Sequence, residues 1–429
     1  MNGRYLRWLA VPALLGAPGL AAAASGAFDP ETATRAYLDT LQGDARAQSD
    51  AYFEGGYWLI LWGALVGVLS EWVLLHFGWS AKFRDLAERI TKARWLVPAL
   101  YAVPYVIVST LIVLPWTIYT GFIRERQYDL MNLSFGGWLG EQAIGLAIAI
   151  VGLALFLMAL FAVIRRAPKL WWAWATGVVV IFVTILSVIA PVFIAPLFND
   201  YTPMEAGALR DRILAMAEAN DVPAHDVFVF DQSKQHDRIS ANVSGLFGTM
   251  RISLNDNLLE RSSPEEIEAV MGHELGHYVL NHALIGVAMI SAIMAFGLFL
   301  AARLSPRIVS RHGERWGIRG IDDPAVTPLF VIILTVYLTL MTPVLNTMVR
   351  VFESEADAFG LDVARQPDGF AAIAMKLSEY RKIEPGPVEE FLFFDHPSGR
   401  TRVRMAMDWK AENVENPQMV TPEPAASGE

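Results

Sequence analysis

No cysteine occurs in this sequence. Its absence excludes a thiolate zinc site, a catalytic thiol and any disulfide, and it is compatible with either side of a bacterial inner membrane. Histidine is scarce, with eight residues among 429, so two histidines at a ligand-like spacing are informative. An excess of positive charge is also missing. The formal net charge of -10 argues against a nucleic-acid partner.

Apolar residues make up 54% of the chain, which indicates a membrane protein. Six apolar runs are long enough to span a bilayer, and they lie near 57–78, 97–118, 143–164, 170–196, 283–303 and 328–349. The first four predict an N-terminal membrane domain over 26–196. The last two interrupt a second domain over 197–429. Residues 1–25 have the pattern of a cleavable signal peptide, and they could equally remain as a first transmembrane helix.

The short loops alternate between many and few basic residues. The rich loops carry Lys82, Arg84, Arg89, Lys92 and Arg94; Arg165, Arg166 and Lys169; and Arg303, Arg307, Arg311, Arg315 and Arg319. The alternate segments carry only Arg35 and Arg46, or Arg124 and Arg126. The positive-inside rule places the rich loops in the cytoplasm. We therefore expect residues 197–282 and the tail after 350 to face the periplasm of a bacterial inner membrane.

Residues 273–277 read His-Glu-Leu-Gly-His, an H-E-x-x-H motif. The Ser-Pro-Glu-Glu sequence at 263–266 predicts the start of its helix, with an N-cap, a proline at the first helical position and a capping box. Positions four apart share one helix face, so His273 and His277 can bind the same zinc ion. Glu274 is then placed as general base toward a water that the metal activates. Gly276 lowers the helix propensity, which is tolerable where another backbone or a substrate comes close.

A catalytic zinc has three protein ligands and one open position, so a third ligand is needed. Candidates are any carboxylate on a nearby helix and the other histidines, at 76, 225, 236, 282, 312 and 396. Glu353 is the best candidate, because its segment continues a long apolar run out of the membrane. Asp357 shares its face and can accept the free ring N–H of a ligand histidine. We expect Glu355 to be solvated, His282 to form hydrogen bonds at a helix end, and His236 to lie on the surface.

The soluble segment before the motif predicts a small mixed unit. Residues 204–220 indicate an amphipathic helix, and 227–231 and 248–255 indicate strands. Between the two strands, 240–245 is a candidate edge strand. Such a strand beside a zinc-bearing helix can hydrogen-bond an extended peptide by β-augmentation. The candidate substrate-binding residues on it are Ala241, Asn242 and Val243.

These features in this order resemble the type 1 CaaX prenyl protease family of integral-membrane zinc metallopeptidases, which is related to the bacterial heat-shock membrane protease. The residues that carry the resemblance are Asp231, the edge strand, Arg251-Ile252, the motif at 273–277, Phe352-Glu353-x-x-Ala356-Asp357, His396-Pro397-Ser398 and Arg402. The resemblance implies a mainly α fold. A multi-span transmembrane helical barrel would enclose a hydrated chamber and carry a gluzincin-like α+β zinc metallopeptidase domain.

The resemblance also implies roles for individual residues. It gives one Zn²⁺ per chain, held by His273, His277 and Glu353, with Glu274 as base and Asp357 as the acceptor behind a ligand. It suggests that His396 contacts the substrate or the developing oxyanion, and that Arg402 contributes to substrate binding. The implied partners are the lipid bilayer and a peptide or protein substrate, lipidated or not.

Two classes of function remain at this point. The first is a zinc endopeptidase that acts on a CaaX-type or other membrane or envelope polypeptide, including a heat-shock-type quality-control protease. The second is a non-catalytic membrane scaffold or transporter with a structural zinc. A structural site usually has four protein ligands, whereas three are evident here beside a glutamate placed as a base, which favours the enzyme.

Overall fold

The computed structural model describes residues 28–245 and 250–422. The signal peptide or first helix predicted for 1–25 lies outside these residues. The helices are α1 (Pro30–Leu38), α2 (Gly43–His76), α3 (Trp79–Ile90), α4 (Val97–Ile118), α5 (Arg124–Gln127), α6 (Phe135–Arg166), α7 (Trp171–Ile189), α8 (Ala208–Ala219), α9 (Asp256–Arg261), α10 (Pro264–Val279), α11 (His282–Trp316), α12 (Thr327–Ala364), α13 (Pro367–Lys376), α14 (Pro387–Phe393) and α15 (Gly399–Asn413). The strands are β1 (Tyr201–Pro203), β2 (Val227–Phe230), β3 (Ala241–Ser244) and β4 (Arg251–Asn255).

Among the described residues, six helical segments are long and apolar enough to cross a membrane, and they contain α2, α4, α6, α7, α11 and α12. This confirms the six predicted spans. Each of these six helices packs against the next one in the series. α7 packs against α11 in the same way, although a soluble segment separates them in the sequence. Because α12 packs back against α2, the six close into a ring, as the mainly α barrel requires. Large apolar side chains such as Leu340 and Trp174 are exposed along the spans, as expected for surfaces in contact with lipid.

The two ends of the ring carry different structures. At one end, α3 packs against α4, and buried Arg84 donates to the carbonyl of Gly317 and pairs with Asp323. The three basic loops meet at this end, since Arg94, Arg165 and Arg319 line one cavity there. The other end carries the sheet and the remaining helices, including α5, whose Glu125 pairs with Arg238 of the soluble segment. The predicted alternation of loops between two ends is therefore confirmed.

A four-stranded sheet lies at the second end, in the order β1-β2-β4-β3. β2 and β4 are parallel, whereas β1 and β3 pair antiparallel to their neighbours. The predicted edge strand is confirmed, because β3 is the outermost strand beside β4. The helix predicted from residue 204 begins later, at Ala208, because the Met204 N–H donates to the Val227 carbonyl (2.8 Å) and extends the sheet. β1 was missing from the prediction because three residues carry too little periodicity.

α10 crosses α12 at a point where glycines allow their backbones to touch. A Cβ on Gly360 would lie 2.7 Å from the backbone N of His273, and one on Gly272 would lie 2.9 Å from the carbonyl O of Gly360. A Cβ on Gly276 would meet the Cα of Ala356 at 3.1 Å. The close approach expected at Gly276 is thus confirmed. The crossing fixes a membrane-spanning helix against a helix that lies outside the membrane.

Gly360→Ala tests this contact. The added methyl group would clash with backbone, which cannot rotate away, so the two helices would have to separate. We expect a loss of roughly 1–3 kcal/mol or more in stability, seen as a lower thermal denaturation midpoint of the detergent-solubilised protein. Gly152→Ala is the matched control, because a Cβ there meets nothing within 4 Å. Equal midpoints for the two variants would contradict the proposed backbone contact.

Candidate metal centre

α10 begins as its sequence predicts. Ser263 is the N-cap, Pro264 is in the first turn, and the capping box is closed by Glu266. The Glu266 carboxylate accepts from the Ser263 N–H at 2.7 Å and from Lys376 Nζ at 2.8 Å, so the cap is also tied to α13. This start sets the register of the helix. It directs His273 and His277 toward α12.

Three side chains from the two helices converge, and we call His273, His277 and Glu353 the His-His-Glu group. The Nε2 atoms of the histidines lie 3.1 Å apart. The Glu353 carboxylate oxygens lie 3.3 Å from His273 Nε2 and 3.5 Å from His277 Nε2.

These distances can be compared with a zinc coordination tetrahedron. Zinc–nitrogen and zinc–oxygen bonds of about 2.0–2.1 Å place neighbouring tetrahedral ligands about 3.3 Å apart. The His-His-Glu group therefore has the dimensions and the donor types of three corners of a zinc site.

Asp357 lies directly behind the first histidine. Its Oδ1 is 2.7 Å from His273 Nδ1, and Asp357 is fully buried. Arg402 from α15 donates to both carboxylate oxygens, at 2.9 and 2.6 Å. Burial lowers the pKa of His273, but the hydrogen bonds to Asp357 and Glu353 outweigh burial and raise that pKa to about 10. A ring held among carboxylates in this way marks a place where a cation is favoured.

Burial shifts the pKa values of Glu274 and His277 in opposite directions, because it favours the neutral form of both side chains. Burial raises the pKa of Glu274 to about 7, close to the value suited to proton transfer at neutral pH. Burial, with the neighbouring His273, lowers the pKa of His277 to about 4, so this ring is neutral and has a lone pair to offer a metal. A divalent ion beside Glu274 would favour the ionised form, which is the one that acts as a base.

A cavity of about 200 Å³, here called the cleft, opens beside these residues. Its lining includes Glu274, Ala241, His396 and Arg402 together with His273 and Glu353. His396 lies between α14 and α15, with Nε2 at 3.3 Å from a Glu353 oxygen and Nδ1 at 2.9 Å from Asp395.

The other residues predicted to contact the substrate are Asn242, Val243 and Arg402. Asn242 and Val243 follow Ala241 along β3, where they pair with Ser253 and Ile252 of β4 and do not line the cleft. The sequence predicts a substrate contact for Arg402. Arg402 does line the cleft, and its guanidinium donates to Asp357 behind His273, so the substrate contact stays a prediction.

Two minor predictions need correction. Glu355 is not simply solvated, because its Oε2 lies 3.1 Å from His282 Nε2. His236 is half-buried rather than on the surface, and its Nδ1 accepts from the Arg238 N–H at 3.2 Å. His282 does form hydrogen bonds at a helix end, as expected, but one of them is to His277. Its position five residues after His277 was the only sequence signal available for it.

The chain matches two family models along most of its length. Residues 33–200 match the model described as "CAAX prenyl protease N-terminal, five membrane helices", and residues 203–410 match "Peptidase family M48". The chain is 28% identical over 355 residues to the "Uncharacterized metalloprotease YhfN" of Bacillus subtilis, covering 81% of this chain and 83% of the relative.

Two fungal proteins are also similar to it. The chain is 28% identical over 332 residues to "CAAX prenyl protease 1" of Saccharomyces cerevisiae, covering 72% and 71% of the two chains. Its fold matches the crystal structure of Ste24p from S. mikatae with a TM-score of 0.71, at 20% identity over 88% of this chain and 94% of that one.

Glu353→Ala tests the assignment of the third ligand. Removing this carboxylate leaves two corners of the site, so zinc affinity should fall by more than about 100-fold, beyond the loss usual for a supporting residue. Competition with a chromophoric chelator measures the affinity, and Glu412→Ala on the exposed end of α15 is the control. A Glu353→Ala protein that retains wild-type affinity would remove Glu353 from the ligand set.

Proposed function

We propose that this chain, which belongs to peptidase family M48 and is a membrane metalloendopeptidase, binds one catalytic zinc ion on the His-His-Glu group. Glu274 is the proposed general base. The observation that carries this proposal is the set of 3.1–3.5 Å separations among three donors from α10 and α12. The motif glutamate lines the same cleft as His273 and Glu353.

The chain's own residues account for the proton movements of peptide hydrolysis. Zinc, when bound, supplies Lewis-acid activation of a water molecule and of the scissile carbonyl. Glu274 accepts the proton of the attacking water and then delivers it to the nitrogen of the leaving amine. His396 Nε2, which lines the same cleft 3.3 Å from a Glu353 oxygen, is positioned to donate to the oxyanion that forms on the substrate carbonyl. Asp357 and Arg402 keep the His273 ring in its ligand orientation.

β3 is the element that would position the substrate. It is the outermost strand of the sheet, it packs against α10, and Ala241 at its start lines the cleft. An extended peptide added antiparallel to β3 would be bound through its backbone, largely independent of its side chains. Asn242 and Val243 would then contribute backbone groups beyond the cleft.

We further propose that the site faces the periplasm of a bacterial inner membrane. The three basic loops gather at the opposite end of the ring, which the positive-inside rule assigns to the cytoplasm. The substrates proposed on this basis are membrane or envelope polypeptides, lipidated or not, rather than cytosolic CaaX tails.

A structural zinc in a non-catalytic protein is the weaker alternative. Within residues 28–245 and 250–422, the set of ligand atoms that lie close to one another has three members and not the four usual in structural sites. A zinc ion on these three residues would leave a fourth ligand to come from the adjoining cleft, which His273 and Glu353 line.

Glu274→Gln removes the base and leaves the metal ligands in place. We expect zinc affinity and fold to be retained, while turnover falls by about 10²–10⁴-fold. A proteome-derived peptide library incubated with the zinc-loaded protein, with new termini counted by mass spectrometry, measures this loss. Glu265→Gln, exposed in the first turn of the same helix, is the control. Turnover within tenfold of wild type would rule out the general-base role.

Orientation can be tested with single cysteines, because the native chain has none. Glu412→Cys lies on exposed α15 at the catalytic end, and Glu314→Cys is exposed near the end of α11 at the basic end. A membrane-impermeant thiol reagent applied to intact spheroplasts should label the first variant, and the second only after permeabilisation. The reverse pattern would place the catalytic end in the cytoplasm.

A further inference from the structure

Each ligand histidine has a second ring nitrogen that faces away from the metal position. For His273 that nitrogen meets Asp357. For His277 the Nδ1 atom lies 2.9 Å from Nδ1 of His282, and Nε2 of His282 lies 3.1 Å from Oε2 of Glu355. We propose that His282 and Glu355 form a positioning relay, which holds the His277 ring in the orientation and tautomer that bind zinc. This inference rests on the proposed zinc site.

The zinc ion at one end of this relay and the Glu355 carboxylate at the other determine which ring nitrogens donate hydrogen bonds. If His277 offers the lone pair of Nε2 to the metal, its proton is on Nδ1, and that N–H donates to His282 Nδ1. His282 then carries its proton on Nε2 and donates it to Glu355. Glu355 can only accept when ionised, so it selects this direction. These tautomers are assigned from the network, and every donor in it has an acceptor.

His282 is itself held firmly. It is 4% exposed and stacks on Phe352, with ring centroids 4.6 Å apart and planes 11° from parallel. It is the first residue of α11, after Asn281 in the left-handed conformation (φ 58°). The tight turn between α10 and α11 therefore sets the ring that supports His277.

The two ligand histidines are supported unequally. The Asp357 carboxylate contacts His273 directly, is fully buried, and is paired with Arg402. The Glu355 carboxylate acts through an intervening imidazole, and its side chain is 26% exposed. Supporting partners of ligand histidines fix ring orientation and raise ligand basicity. We therefore expect the relay to tune zinc affinity while leaving the fold intact.

Zinc affinity of the full-length, detergent-solubilised protein tests the relay without an activity assay. His282→Ala should weaken zinc binding by about 10–100-fold. His282→Asn should recover part of this loss, because its side-chain oxygen can accept the His277 Nδ1–H. His312→Ala, an exposed histidine near the other end of α11, should match the wild type. The cobalt-loaded His282→Ala protein should also show shifted visible bands, which a change remote from the ligands would not produce.

Glu355 allows a second test at a partly exposed position. Lysine can only donate, so Glu355→Lys would force His282 to present an N–H to the N–H of His277. We expect zinc affinity to fall by about 10–100-fold in Glu355→Lys and by much less in Glu355→Gln, whose amide can still accept. In a His282→Ala background, Glu355→Lys should add little, because the relay is already broken. An equal effect in both backgrounds would show simple charge repulsion and overturn the relay.

Other outcomes separate the relay from the zinc site itself. Wild-type affinity in His282→Ala, together with lost affinity in Glu353→Ala, would overturn the relay and leave the zinc site standing. Retained affinity in both variants would overturn the zinc site. Two zinc ions per wild-type chain, falling to one in His282→Ala, would make His282 a ligand and also overturn the relay.

Discussion

The backbone contact between α10 and α12 is the interaction on which the whole site depends. α10 carries His273, His277 and Glu274, while α12 carries Glu353 together with Glu355 and Asp357, the carboxylates behind the histidines. Gly272, Gly276 and Gly360 let these helices approach until Cβ positions would touch backbone atoms. Any wider separation would leave Glu353 too far from the histidine nitrogens to share an ion of zinc's size.

This crossing also joins the membrane to the soluble part of the chain. α12 starts at the basic end of the ring, crosses it, and continues without a break into the site, so a membrane-spanning helix carries Glu353, the proposed third ligand. α11 enters the ring directly after the tight turn that follows α10, and its first residue, His282, contacts a ligand. The proposed metal centre is therefore held by two membrane-spanning helices, α11 and α12. Motion of those spans would therefore change the distances among the side chains of the site.

Much of this arrangement could be predicted from local sequence, and the remainder depends on long-range contacts. Some features lie within a single helix, so the sequence predicts them directly. They are the capping box at Ser263, the i,i+4 histidines and the six apolar runs. The carboxylate at Asp357 was predictable because it shares a helix face with Glu353. By contrast, His282 meets Glu355 only after α11 and α12 are packed, and Arg402 reaches Asp357 from a helix 45 residues away. No local period signals either contact.

Anomalous diffraction at the zinc edge, from crystals of the zinc-loaded protein, would test the central claim most directly. We expect one peak, about 2.0–2.2 Å from Nε2 of His273, Nε2 of His277 and the Glu353 carboxylate. The fourth coordination position of that zinc ion should be open to the cleft. A peak between the Nδ1 atoms of His277 and His282, or one whose fourth position is closed by a protein ligand, would contradict it.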